Sequence, residues 1–401
     1  MISIDEARTR ILSRLTPTGA EIVSLSSVLG RVLFTPAIAR LTYPATNISA
    51  MDGFALDAAD AVPDTSLTII GSAPAGHPFE GRIGSGQAVR VFTGSVIPDG
   101  ANAVLIQENA DFDQVRLIPR ATIARGKNIR SAGLDFRTGD NLLCPGTRLS
   151  ARDIGLAAAG NCPWLSVYRR PIVALLATGD EVAMPGEPIQ AGGLTNSNTF
   201  ALAAFIRTCG GIPIILPTAR DDRMVIAQAV ESLSHADLLV TTGGASVGAH
   251  DLVQEGLGMH GLAVDFWKIA MRPGKPLMFG AMGALPVLGL PGNPVSALVC
   301  ALLFLKPAIE RLSGLPGNAP QSEFARCTVA LPENDRRNDH LRASLFRDPD
   351  GSWQITPFVQ QDSAMLRHFA EADALLLRAP GASATPPGTA VQMIRLADHG
   401  L

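Results

Sequence analysis

The spacing of apolar positions changes character along this chain. Near the start, Ile4, Ala7, Ile11 and Leu15 recur at helical intervals behind Ser3-Ile4-Asp5-Glu6, which has the form of a capping box. An amphipathic helix is expected there. From about residue 42, short apolar runs at 66–70, 88–92, 103–107 and 114–118 alternate with Gly, Pro and Asp, the texture of a small β-rich domain. Ser150-Ala151-Arg152-Asp153 then opens a second helix, stopped by Gly160-Asn161. The two helical stretches are read as one helical and extended domain, 1–41 with 140–169, carrying 42–139 as an insertion.

From Pro171 the apolar runs become unbroken and alternate with helical segments, as expected of a parallel sheet covered on both faces. Strands are expected at 172–177, 212–216 and 237–242. Helices are expected at 199–208, capped by Asn198, and from Asp222 to Ser234. Val295 to Leu305 is apolar for only 11 residues before Lys306-Pro307. That is short of the roughly 20 a membrane span needs, so it reads as a buried core helix. Beyond Gly314-Leu315-Pro316-Gly317, short strands flank Asp348-Pro349-Asp350-Gly351, marking a C-terminal β domain. The chain thus reads as a multidomain protein of α/β and β type, with a doubly wound domain at 170–316 and the terminal β domain at 317–401.

Composition narrows the function. With 401 residues and 47% hydrophobic positions, large buried cores are available. A net charge of -3 gives no global attraction for nucleic acid or an anionic membrane, so any anion site must be local. Five scattered cysteines with no C-x-x-C pair read as reduced thiols. The N-terminus shows no basic-then-apolar leader, so the expected location is cytoplasmic.

Candidate chemistry clusters where a doubly wound sheet holds ligands, beyond the carboxyl ends of its strands. Thr178-Gly179-Asp180-Glu181, Thr242 to Gly248 and Pro291-Gly292-Asn293-Pro294-Val295-Ser296 all fall there. Between them lies Trp267 to Pro276, holding two of the chain's four lysines, Lys268 and Lys275, around Arg272-Pro273-Gly274. Such compact cations beside a helix start suit an anionic ligand. Gly244-Ala245-Ser246-Val247-Gly248 also matches G-x-S-x-G, so a serine hydrolase with Ser246 as nucleophile stands beside the reading of an anion-cradling loop. A triad would need His340 or His368 from the terminal domain. In the β-rich domain, Asp52-Gly53 with Thr93-Gly94 and Arg130 to Asp135 offers a second wall for a cleft. Asp52, Asp135, Glu181 and Asp251 are the carboxylates that would serve a hard dication such as Mg²⁺.

These motifs, in this order, resemble the molybdopterin molybdenumtransferase family, which includes the C-terminal domain of gephyrin. The residues carrying the resemblance are 49–55, 130–135, 178–181, 242–248, 267–276, 289–296 and 361–366. The resemblance implies an elongated four-domain homodimer with a small C-terminal β-barrel, and a cleft shared between the doubly wound domain of one subunit and the β domain of the other. It implies a reaction in which adenylylated molybdopterin and molybdate give molybdenum cofactor and AMP with Mg²⁺. Asp52, Asp135, Glu181, Asp251, Lys268, Arg272 and Lys275 would carry the chemistry, with Glu181 and Asp251 on the metal. The pterin nucleotide would meet Thr93, Arg130, Thr178, Gly179, Asp180, Asn198, Gly243, Gly244, Ser246, Gly248, Pro273, Gly274, Pro291, Gly292, Asn293, Ser296, Arg342 and Ser363. Transient partners would be the molybdopterin adenylyltransferase and recipient molybdoenzymes, with neither nucleic acid nor membrane involved. The gephyrin relation also raises a non-catalytic pterin-binding scaffold. The chain departs from the family pattern at Asn47, Asn102 and Asn196, where aspartates are usual, at Leu134, where glutamate is common, and at Arg272, where lysine is usual.

Overall fold

Strands that are apolar on both faces need cover on both faces, and the central sheet has it. In the computed structural model, which describes all residues but Ser234 and 244–248, and only the backbone of 249–251, six strands form this sheet. Their order is Ile212–Ile215, Ile172–Ala177, Leu238–Thr242, Leu285–Leu290, Met278–Met282, Leu262–Trp267. The first four are parallel, Met278–Met282 runs antiparallel to them, and Leu262–Trp267, antiparallel to that strand, runs with the first four again. Side-chain alternation sorts the core. Val173, Leu175, Leu238, Val240 and Leu288 join a cluster with Leu202 and Ile206 of the helix Asn198–Thr208, Ile11 of Ile4–Ser13, and the 295–312 segment. Ala174, Leu176, Leu239 and Val287 pack instead with Ile226 of Arg223–Val230 and with Val253 and Leu257 of Ala249–Gly258. This is the doubly wound arrangement; the tight Met278–Met282/Leu285–Leu290 hairpin is an addition the sequence pattern did not reveal.

Helix ends follow local chemistry. Ser3 Oγ accepts from Glu6 N at 3.1 Å, fixing the first helix. The helix expected to be capped by Asn198 instead begins with it, because Asn196 Oδ1 accepts from Thr199 N at 3.1 Å and frees Asn198 for the cleft. Residues 295–305 are buried throughout, first as the helix Pro294–Cys300 and then as a π-helical stretch, Ala301–Leu305. The wider turn precedes Pro307, which has no N–H to donate, and the helix then continues over Lys306–Leu312. Among the described residues no helix is long and apolar enough to cross a membrane.

In the C-terminal region, Asn338–Arg347, Trp353–Pro357, Glu323–Cys327, Ala390–Arg395 and Ala374–Arg378 pair in that order, and the last returns to the first. The result is a closed five-stranded barrel, which leaves no edge among these strands. Gly351, at φ 86°, turns the hairpin between Arg347 and Trp353. The short strand Met271–Arg272 pairs in parallel with Asn338 and Asp339, tying the cationic segment to the barrel.

All of this lies in one compact unit, residues 1–21, 30–34 and 167–401; a second comprises 22–29 and 35–166. The second holds a curled six-stranded sheet ordered Ala103–Ile106, Gly53–Leu56, Gln87–Val91, Leu67–Ala73, Arg116–Pro119, Ala110–Phe112. Its two faces bury Phe54, Leu56 and Leu105 on one side and Ala55, Val89 and Val104 on the other. The helix Ala151–Ala159 is opened by Asp153 Oδ2, which accepts from Ser150 N at 2.7 Å and Ser150 Oγ at 2.6 Å. Of the five free cysteines, Cys162, Cys209, Cys300 and Cys327 are buried and Cys144 is exposed.

Candidate functional site

Three parallel strands end side by side, at Ala177, Thr242 and Leu290. The turns that follow are therefore forced together. Thr242 Oγ1 donates to Pro291 O at 3.3 Å, while Asn198 Nδ2 donates to Thr242 Oγ1 at 2.9 Å and to Gly292 O at 2.7 Å. A Cβ on Gly243 would lie 2.2 Å from Thr178 O, and the φ of 106° already calls for glycine. These turns floor a cleft of about 990 Å³. Of the expected contact residues, Thr178, Gly179, Glu181, Asn198, Gly243, Arg272, Pro273, Gly274, Lys275, Pro291, Gly292, Asn293, Ser296 and Ser363 line it. The side-chain oxygens Thr178 Oγ1 and Asn198 Oδ1 are buried with no hydrogen-bond partner, leaving polar capacity for a ligand.

One side of the cleft is acidic. Glu181 and Asp221 line it, and Asp180 Oδ1 accepts from Asp221 N at 3.2 Å. Burial, and then the charges of Asp180 and Glu181, push the Asp221 carboxyl above the usual carboxylate range. Its Oδ1 is buried without a partner. Asp221 was missed in the sequence because it sits in a polar connection with no motif around it. Its signal is position, two residues beyond Ala219, which bridges to Thr178.

The lining is also cationic, but less simply than the spacing suggested. Arg272 and Lys275 line the cleft. Lys268 does not: it takes a left-handed φ of 77° and its ammonium lies 4.3 Å from the centre of the Trp267 ring. Arg272 is itself paired with Asp339 and lies 3.6 Å from Asp335. Gly274 has room for no side chain, since a Cβ would approach Cys300 Sγ to 2.5 Å.

Arg342, expected to touch ligand, is 1% exposed and does not line the cleft. It braces the loop that does: Arg342 N and Nε donate to Gln361 Oε1 at 3.0 and 3.2 Å, and its guanidinium reaches Met365 O and Gln360 O. That loop carries Ser363, whose Oγ accepts from Asn293 Nδ2 at 2.7 Å and whose carbonyl accepts from Val295 N. His340, one possible triad base, is sealed in the barrel, where burial lowers its pKa to about 4.

In the second unit, Thr93 N and Oγ1 donate to Asp52 Oδ1 at 2.7 and 2.9 Å, holding that carboxyl below the usual range. Gly53 follows because a Cβ there would meet Leu105 O at 2.1 Å. Arg130 lies opposite Ile48 in the strand pairing, and Asp135 N donates to Tyr43 O at 3.1 Å. Gly244, Ser246 and Gly248, and the side chain of Asp251, lie outside the described residues.

The three asparagine departures share one structural job. Asn47 Oδ1 accepts from Ala132 N, Asn102 Oδ1 from Ala58 N, and Asn196 Oδ1 from Thr199 N. An acceptor is what each backbone needs, and the amide supplies it without charge.

Comparisons with known proteins cover most of this chain. Residues 2–160 match the model of the MoeA N-terminal region (domain I and II), 174–311 the probable molybdopterin binding domain, and 324–396 the MoeA C-terminal region (domain IV). A molybdopterin molybdenumtransferase of Nostoc sp. is 35% identical, covering 81% of this chain and 77% of its own. That of Haemophilus influenzae is 32% identical over 94% of both. The crystal structure of the molybdopterin biosynthesis MoeA protein from Pyrococcus horikosii superposes with a TM-score of 0.84 at 26% identity, covering 98% of this chain and 99% of that one. The chain therefore belongs to the molybdopterin molybdenumtransferases, the transferases of molybdenum cofactor biosynthesis.

Proposed function

We propose that this transferase takes adenylylated molybdopterin and molybdate, cleaves the pyrophosphate link to release AMP, and leaves molybdenum on the dithiolene of the pterin. The observation that carries this reading is that glycine turns with backbone donors, the Glu181 and Asp221 carboxylates, and the Lys275 and Arg272 cations all face one cleft. A diphosphate-bearing substrate and a tetrahedral dianion both require that mixture.

Mg²⁺ fits the acidic side. Among the described residues no three His, Cys, Asp or Glu side chains form a cage, but Mg²⁺ keeps several waters and takes one or two carboxylates with substrate phosphate. Glu181 and Asp221, with its unpartnered buried oxygen, would hold it, Asp251 being the further candidate from the sequence. Bound there, it would neutralise charge developing on the cleaved phosphates. Lys275 and Arg272 would bind oxyanion, and Ser363 and Asn293 would orient it. The turn residues Thr178, Gly179, Gly243 and Gly292 would accept the pterin nucleotide, with Gly244, Ser246 and Gly248 as anion-loop residues. Asp52 and Asp135 complete the proposed carboxylates. The same reading makes the working form a cytoplasmic homodimer divided into the four domains expected from the sequence, meeting an adenylyltransferase and recipient apoenzymes.

The test is to incubate the purified chain with adenylylated molybdopterin, Mg²⁺ and molybdate and to quantify AMP. Molybdate-dependent AMP release is expected. Tight pterin binding with no AMP would replace the enzyme by a scaffold.

A further inference from the structure

Among the described residues three cations line the cleft, Arg272, Lys275 and Arg337, and two of them already hold a carboxylate. Asp335 Oδ2 is 2.5 Å from Arg337 Nη2 and 3.6 Å from Arg272 Nη1. Arg272 also pairs with Asp339. The two acids differ in kind. Asp339 is only 4% exposed, so its pairing is part of the barrel's construction and costly to break. Asp335 is 44% exposed and can exchange its partners for water. Arg337, through a side-chain and a backbone hydrogen bond, and then the charge of Arg272, hold its carboxyl down to about 2, so it is ionised under all working conditions. Its place is fixed by Arg337 N, which donates to Oδ1 at 2.9 Å, and by Gly381 N, which donates to its carbonyl at 2.7 Å.

A carboxylate that hydrogen-bonds Arg337 and lies within ion-pair range of Arg272 offers its charge to the same two guanidinium groups that a tetrahedral oxyanion would take. We propose that Asp335 is a displaceable counter-anion: it occupies Arg272 and Arg337 until the oxyanion of the substrate takes them, and so sets how tightly this cleft holds molybdate. The proposal rests on the molybdate-binding reading above. Asp335 acts through the two arginines and is a specificity-setting residue, not a catalytic one. Its removal should tighten oxyanion binding, the opposite of what loss of a binding or structural residue does.

The experiment is equilibrium dialysis of the full chain against molybdate, with bound molybdenum measured by elemental analysis. Asp335→Asn keeps the Oδ1 acceptor for Arg337 N and drops the charge. It should bind about two- to fivefold more tightly than the native chain, the range expected for freeing an exposed ion pair. Asp335→Ser should shift the same way. Glu371→Gln, which removes an equal charge from a surface pair with Arg367, should leave affinity unchanged. Lys275→Ala should weaken binding at least tenfold, as loss of a direct charge contact does. Unchanged or weaker binding in both Asp335 variants, with Lys275→Ala impaired, overturns the displacement and leaves the site reading standing. Native affinity in Lys275→Ala overturns the site reading itself, and the displacement with it.

Discussion

At the scale of single residues, the departures from the family pattern are the sharpest test of whether charge or hydrogen bonding matters at a position. Asn102 answers for one of them. Its Oδ1 accepts from Ala58 N at 2.8 Å while its Nδ2 donates to Asp57 Oδ1 at 2.9 Å. An aspartate could keep the first bond but would set a second carboxylate against Asp57, whose own carboxyl is held low by Ala59 N and then by this amide. Asn102→Asp should therefore destabilise the second unit, because it turns a hydrogen bond into a contact of like charges. Urea unfolding at pH 7 measures it, and a variant as stable as the native chain would show that Asp57 simply turns away to solvent. Arg272 answers differently, for its fork reaches Asp335 and Asp339 together, as a single ammonium would not.

At the scale of elements, cleft position depends on helix and strand ends. Asp222 Oδ1 accepts from Met224 N at 2.7 Å and Val225 N at 3.3 Å, starting the helix Arg223–Val230 directly after Asp221. Asp222→Ala should cost about 1 kcal/mol, read as a lower denaturant midpoint, while Arg223→Ala should change little. That helix start was legible because Asp before an apolar 3.6-residue period is a local signal. So were the parallel strands, whose glycine and proline turns carry their own backbone chemistry. The hairpin strand Met278–Met282 was not, since an apolar run looks alike in either direction. Nor was the orientation of Lys268: sequence places it four residues from Arg272, and only the folded backbone turns it toward Trp267. Arg342 entered only through the family resemblance, as a ligand contact, and its bracing of a loop was not legible because the bond to Gln361 joins residues 19 apart.

At the scale of the whole molecule, stability should carry a pH signature from the barrel that closes the chain. His340 lies on the strand Asn338–Arg347, opposite Leu377, and is 5% exposed. Burial lowers its pKa from 6.5 to about 4, against the pull of backbone carbonyls at Arg272 and Asn338. Between those two values the unfolded chain binds a proton that the folded chain refuses. Stability from this residue is thus complete above pH 6.5 and is lost as pH falls toward 4. His399, lowered by burial and by Lys306, acts in the same direction. From pH 7 to pH 5 the His340 contribution amounts to about 2 kcal/mol, taking about 1.4 kcal/mol per pH unit below the unfolded pKa. Urea unfolding at both pH values, native against His340→Leu, isolates it: the native chain should lose about 2 kcal/mol more than the variant on acidification. Equal losses would mean that the imidazole accepts its proton inside the folded barrel, and that the closed sheet is far wetter at His340 than its packing indicates.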